Sequence, residues 1–241
     1  MRTTLVLWDI DYTLLVSGPA GRSVYPRAFA ALTGTEAPST VPTEGRTEPA
    51  IMAELLAVHG VTDIRDKDAA DAMITALRDA APQLLSQGRR LPGALECLTA
   101  LHGDPRGVQS LLTGNLRTNA ELKLSTFGLD GLVDFEAGAY GSDDSHRPRL
   151  VALAQRRAGD RYGTVFDRDN TVLVGDTLRD VAAGREGGAR VVAVATGQDG
   201  AEELLAAGAD VVLPDLRDTE LVVRTLLGDG KSPRESGEFA P

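Results

Sequence analysis

The 241-residue chain is long enough for one large domain or for a core carrying a smaller inserted one, and 42% hydrophobic with 25% charged residues is an ordinary globular composition. A net charge of −10 and a pI near 4.8 argue against nucleic acid or an anionic membrane surface as partner, but not against a small anionic substrate in a locally basic cleft. Cys97 is the only cysteine, so no internal disulfide can form and the thiol reads as a small core residue. With no leader pattern and no apolar run of bilayer length, the expectation is a cytoplasmic protein without a membrane partner.

Taken in order, Thr4–Leu7 reads as a short buried strand, and Trp8-Asp9-Ile10-Asp11-Tyr12-Thr13-Leu14 emerges at its carboxyl end. Open parallel sheets bind their ligands at that edge. Two carboxylates two residues apart suit a nucleophile or metal ligand beside a second acid; the plain alternative is an acidic turn. Leu15–Ala20 is expected to be a loop whose Gly18 and Pro19 suit a hinge. Helical spacing follows over 22–32, 49–58 and 66–85, with Pro82 kinking or splitting the last stretch. No strand signal appears between Val16 and Arg90.

From Leu91 onward helices and strands alternate. Helices are expected over 92–101, 119–127, 150–157, 178–184, 201–207 and 218–227. Strands are expected over 108–112, 171–174, 190–195 and 210–213, with a short one at Val133–Phe135. This alternation predicts right-handed βαβ units. The fold class is therefore α/β: a Rossmann-like, mostly parallel sheet core formed by 1–16 and 90–228, interrupted by an α-helical insertion at 17–89. An insertion that follows the strand carrying Asp9 and Asp11 is placed to act as a lid. Residues 229–241 are charged and rich in Gly, Pro and Ser, and read as a frayed tail.

Small or acidic polar residues stand at further strand ends: Thr113-Gly114-Asn115, and Gly175-Asp176-Thr177-Leu178-Arg179-Asp180. Glycine beside Asn or Asp lets backbone approach a ligand, and aspartates converging from two strands suit a hard cation such as Mg²⁺. Arg147, in Ser145-His146-Arg147-Pro148 at a helix start, is able to counter both a carboxylate and a phosphoryl group. A second D-x-D-x-T, Asp167-Arg168-Asp169-Asn170-Thr171, precedes its strand instead of following it, so it reads as a turn on the opposite edge. His59 and His102 read as helix-end residues, and His146 is a candidate to line the cleft. In isolation, Asp176 and Asp180 also fit a helix N-cap and first-turn acid.

The four segments together resemble the haloacid dehalogenase superfamily, phosphatase type, with a helical cap after the first motif. The nearest pattern is that of phosphoglycolate phosphatases. Asp9-Ile10-Asp11-Tyr12-Thr13 is similar to the first motif, Thr113-Gly114-Asn115 to the second, Arg147-Pro148 to the third, and Gly175-Asp176-Thr177 through Asp180 to the fourth. The resemblance implies a Mg²⁺-dependent phosphohydrolase acting on a small phosphorylated metabolite. Asp9 would attack phosphorus and form an aspartyl-phosphate, while Asp11 would protonate the leaving alcohol and then activate water. Mg²⁺ would be held by Asp9, the backbone carbonyl of Asp11, Asp176 and waters oriented by Asp180. Thr113 and the amides of Gly114 or Asn115 would hold phosphoryl oxygens, with Arg147 neutralising developing charge. The family usually has lysine where this chain has Arg147.

Other readings differ in the residues they need. Asp11 disfavours dehalogenation, which uses no leaving-group acid. A phosphonatase needs a cap lysine, and Lys67 is the one lysine of the insertion. The loop Glu44-Gly45-Arg46-Thr47 resembles the specificity loop of the cap, with Arg46 as a substrate-binding candidate or a solvated side chain. A sugar-phosphate mutase, or a non-catalytic regulatory member, remains as an alternative.

Overall fold

The computed structural model describes residues 3–228; the expected tail at 229–241 lies outside the described residues. The chain opens with β1 (Thr4–Trp8) and β2 (Leu15–Val16), followed by the helices α1 (Gly18–Thr33), α2 (Glu48–Val58), α3 (Asp66–Asp79) and α4 (Ala81–Gln87). It returns through β3 (Arg89–Arg90), α5 (Ala94–His102), β4 (Gly107–Thr113), α6 (Arg117–Thr126), β5 (Ala139–Tyr140) and α7 (Arg147–Tyr162). It closes with β6 (Thr171–Gly175), α8 (Leu178–Gly187), β7 (Arg190–Val194), α9 (Ala201–Ala206), β8 (Val211–Leu213) and α10 (Thr219–Leu227).

Among the described residues, six parallel strands form one sheet in the order β5-β4-β1-β6-β7-β8. β1 is buried along its whole length because both faces of the sheet are covered, so its sequence is a continuous apolar run. Val6 and Trp8 pack on one side with Leu98 of α5, Leu124 of α6 and Val222 of α10. Leu5 and Leu7 pack on the other with Leu150 and Ala154 of α7 and Ala183 of α8. Each such buried Val or Leu side chain contributes roughly 1.5–3 kcal/mol. A polar side chain under this layer is satisfied: Gln109 accepts from Trp8 Nε1 at 3.3 Å and donates to the carbonyls of Leu98 and Leu132, both at 2.7 Å.

The helices α1–α4 bury an apolar cluster of their own, built on Val24, Phe29, Met52, Leu55, Met73 and Leu77. Leu116 from the edge of the sheet layer is its contact with the rest of the chain, together with Leu122 and Phe127. Several sequence expectations shift here. Gly18 and Pro19 belong to the first turn of α1 and are not loop, since Pro suits the first helical position. Pro82 splits the expected 66–85 helix into α3 and α4 by occupying the first turn of α4. Two two-residue strands, β2 and β3, border the helical stretch and pair antiparallel, Leu15 opposite Arg90 and Val16 opposite Arg89. Val133–Phe135 is not a strand: one 3₁₀ turn ends just before it and a second begins at Phe135, and the strand that joins β4 is Ala139–Tyr140.

Candidate active site

β1 ends at the sheet's carboxyl edge between β4 and β6, so the side chains that follow these three strands face one crevice. Asp9, Asp176 and Asp180 each bring a carboxylate oxygen within 4.8 Å of the others, and all three are buried. Glycines allow this crowding. A Cβ on Gly197 would lie 1.9 Å from Asp176 Oδ2, and one on Gly175 would lie 2.4 Å from Asp180 Cγ. Thr13 donates to Asp176 Oδ1 at 3.0 Å. Asp180 also serves its helix: Thr177 is the N-cap of α8, and Asp180 accepts from the Thr177 amide at 3.1 Å in a reciprocal capping box. The capping and site roles of this acid therefore coincide.

Arg147, the first residue of α7, is buried in the same crevice. Its Nη2 bonds Asp180 Oδ1 and lies 3.7 Å from Asp9 Oδ1, while Nη1 donates to the Gly45 carbonyl at 3.4 Å. A lysine would offer one nitrogen where the guanidinium's fork reaches a carboxylate and a backbone oxygen at once. Its Nε has no hydrogen-bond partner among the described residues. Burial first, and then the charge of Asp180, push Asp9 up to about 7 against the opposing pull of Arg147. Burial and the two neighbouring acids push Asp176 up to about 9.

Asp11 turns the other way. It accepts from Ser17 Oγ at 2.7 Å, Asn115 Nδ2 at 2.9 Å and Lys123 Nζ at 2.6 Å. Burial alone would raise its pKa, but the Lys123 charge and these three donors outweigh it and hold the carboxyl below the usual range. Tyr12, directly after Asp11, sits at φ 61°, a left-handed backbone that a bulky residue rarely adopts. Its carbonyl accepts from Thr196 Oγ1 at 2.5 Å and its amide donates to Leu15 O at 2.7 Å, which fixes the turn that follows Asp11.

The second segment is equally close. Thr113 Oγ1 accepts from the Asn115 amide at 3.3 Å and from its side chain at 2.8 Å, and also hydrogen-bonds Asp9. Gly114 touches the helical stretch directly: a Cβ there would meet Arg46 O at 2.2 Å, and its carbonyl accepts from the Glu48 amide at 2.7 Å. The 43–47 loop thus lies on the crevice and leaves a cleft of about 150 Å³.

Residues 147–219 match a family model described as haloacid dehalogenase (HAD) hydrolase-like. No curated protein matches the chain. Among solved structures, CbbY from Rhodobacter sphaeroides in complex with phosphate has 18% identity and a TM-score of 0.70, over 90% of this chain and 96% of that one. A hydrolase from Pseudomonas syringae has 20% identity and a TM-score of 0.67, over 93% and 99%. A predicted phosphoglycolate phosphatase from Haemophilus somnus has 16% identity and a TM-score of 0.63, over 92% and 99%. The fold is that of the haloacid dehalogenase superfamily.

In this haloacid dehalogenase-like crevice, Asp9, Asp11, Thr113, Gly114, Asn115, Arg147 and Asp176 all line the cleft, and Asp180 sits directly behind it. Three buried carboxylates with one bonded guanidinium leave excess negative charge, and all their donors are hard oxygens. That donor set fits Mg²⁺. The Asp11 carboxylate stands outside this cluster, on Lys123.

Arg46 lines the cleft, but its guanidinium is engaged elsewhere: Nη2 pairs with Glu54 at 2.5 Å, and its nitrogens donate to the carbonyls of Pro42 and Ala50. His146 is exposed and is not part of the cleft wall; it immediately precedes α7. The second D-x-D-x-T is a capping-box turn at the amino end of β6, on the far edge. Sequence reasoning missed Lys123 and Glu48. Glu48 is buried at the start of α2 and accepts from the Leu116 amide at 2.9 Å and from Asn119 Nδ2 at 2.8 Å. A signal for both lay in α6, where Asn119 and Lys123 share the buried stripe of Ala120 and Leu124. Among the described residues, no helix is long and apolar enough to cross a membrane.

Proposed function

We propose that the protein is a Mg²⁺-dependent phosphohydrolase that cleaves a small phosphate monoester through an aspartyl-phosphate on Asp9, with 17–89 acting as its cap and 1–16 plus 90–228 as its catalytic core. The observation that carries this reading is the opposed settings of two acids from one strand end. Asp9 faces Asp176, Asp180 and Arg147, while Asp11 is held apart on Lys123. One acid sits where a metal and a phosphoryl group would meet, and the other where a proton is moved.

Asp9, Asp176 and Asp180 would hold Mg²⁺, which shields the carboxylate from the phosphate and withdraws charge from the phosphoryl oxygens. Asp9 supplies the attacking oxygen: its bond to phosphorus forms as the ester P–O bond breaks. The leaving oxygen takes a proton from Asp11, and in the second half Asp11 removes a proton from the water that attacks phosphorus and regenerates the Asp9 carboxylate. Lys123 favours the ionised form of Asp11, which suits the second half; for the first, Asp11 swings off Lys123 to reach the ester oxygen carrying a proton. Thr113 Oγ1 and the backbone of Gly114 and Asn115 border the phosphoryl site, and Arg147 neutralises charge there. The phosphate in the CbbY complex supports the reading for a protein of this fold.

The test is inorganic phosphate release from p-nitrophenyl phosphate with Mg²⁺, after chelation, and in Asp9→Asn. Release that requires Mg²⁺ and is lost in a folded D9N protein is expected. Wild-type turnover by D9N, or full activity after thorough chelation, would sink the assignment. Stoichiometric transfer to a sugar phosphate without phosphate release would identify a mutase instead.

A further inference from the structure

The cleft wall opposite the acids is one face of a helix. Gly18, Gly21, Arg22 and Tyr25 line it, spaced by three, one and three residues, which puts them on one side of α1. Ser17, just before this face, donates to Asp11, so the helix begins at the proton-transfer acid and leads away from it. Two of its residues are glycines, and the larger side chains that remain to meet a ligand are Arg22 and Tyr25.

The cations of the cleft differ in how they are employed. Arg147 is bound to Asp180, Lys123 to Asp11 and Asn115, and Arg46 to Glu54. Arg22 is exposed to the cleft and, among the described residues, has neither an ion pair nor a hydrogen bond. The acids nearest the mouth are engaged: Glu44 accepts from the Thr43 amide at 3.0 Å, and Asp199 from the Leu178 amide at 2.7 Å. Tyr25 likewise has no hydrogen-bond partner for its hydroxyl among the described residues. Burial, and then the charge of Glu48, keep that phenol protonated, so it is a donor. An uncommitted guanidinium and a phenol donor one turn apart are the elements of an anion site.

We propose that Arg22, with Tyr25, binds a second anionic group on the leaving alcohol, so that the preferred substrates are small phosphomonoesters bearing a carboxylate or a second phosphate. This rests on the phosphohydrolase reading and specifies its substrate class. The reacting phosphoryl group sits among Asp9, Thr113 and Arg147, and the second anion reaches the α1 face across a cleft of only about 150 Å³, which also favours a short leaving group. Binding at this distance from phosphorus lets the enzyme discriminate between leaving groups.

The experiment compares kcat/KM for 2-phosphoglycolate and propane-1,3-diol bisphosphate with that for ethyl phosphate, in wild type, Arg22→Met and Arg22→Lys. The wild type should prefer at least one of the anionic esters by about tenfold or more. R22M should collapse that ratio by a similar factor, and R22K should restore part of it. The ester with the larger ratio tells carboxylate from phosphate as the natural second anion. An unchanged ratio in R22M, or a wild type that takes ethyl phosphate as readily as both anionic esters, would overturn the proposal. Calorimetric titration of 2-phosphoglycolate and propane-1,3-diol bisphosphate into D9N protein, with and without R22M, separates the two readings. Arg22-dependent binding of either ester, together with a wild type that releases no phosphate from any ester, would refute the hydrolase and keep the anion site. Arg22-independent binding of both in an active enzyme would do the reverse.

Discussion

Stripped of metal, the protein should lose stability as pH rises, and Mg²⁺ should abolish that loss. Asp9 is pushed up to about 7 and Asp176 to about 9, both from 3.8. Their folded pKa values therefore lie above those of the unfolded chain. Between the two values the folded state holds protons that the unfolded state has released, so stability falls as pH rises; the contribution is full below about 3.8 and gone above the folded value. From pH 5.5 to 7 the Asp9 proton held by the folded state costs stability on the order of 2 kcal/mol, and Asp176 continues the decline above that. Because the two share a cluster, a few kcal/mol in total is the expected scale. Urea unfolding in EDTA at pH 5.5, 7.0 and 8.5 measures it, and the same series in Mg²⁺ should be nearly flat. Asp176→Asn should flatten the EDTA series between pH 7.0 and 8.5 while leaving the Asp9 decline below that, which separates the site from the general repulsion of a chain carrying −10. An EDTA series that is flat or rises with pH, or a D176N series as steep as wild type between pH 7.0 and 8.5, would refute the reasoning.

Other substitutions probe the remaining parts of the crevice. Asp11→Asn should lower turnover of alkyl phosphates by about 10²–10⁴-fold while still allowing ³²P from a nitrophenyl ester to be trapped on Asp9; equal losses on both esters would show that Asp11 is not the acid. Glu48→Ala leaves the Leu116 amide and Asn119 without their acceptor and should cost about 1–3 kcal/mol in urea unfolding. Glu48→Gln keeps an acceptor and sheds a buried charge, so it should cost less than Glu48→Ala.

The sheet and the acids were legible in the sequence because both depend on short-range pattern. Apolar runs such as Val172–Val174 are long enough to identify a buried strand, and glycine beside an acid marks its end. Lys123 and Glu48 were not, because each lies near a helix surface pattern and acquires its role from residues 112 and 68 positions away, Asp11 and Leu116. Arg46 was legible in place but not in its partner, for it lines the cleft as its loop position suggested. Its loop position suggested a ligand contact, but Glu54 lies two helical turns along α2, close enough to take the guanidinium. The β2–β3 pair went unseen because two residues carry no periodicity, and their pairing is fixed by what they connect.

That pair has a consequence for how the chain tolerates change. The Leu91 amide donates to Leu14 O at 2.9 Å, and a Cβ on Gly18 would lie 2.8 Å from Gln87 O, so the outgoing and returning strands leave the sheet layer side by side. Whatever lies between them begins and ends at nearly one point. The cost of closing a loop grows only with the logarithm of its length, about 0.6 kcal/mol per doubling. Helices can then be added, trimmed or exchanged beyond this ribbon with little strain transmitted to β1. Shortening the helices α1–α4 beyond this ribbon would first uncover Leu116 and Phe127, the side chains they shelter.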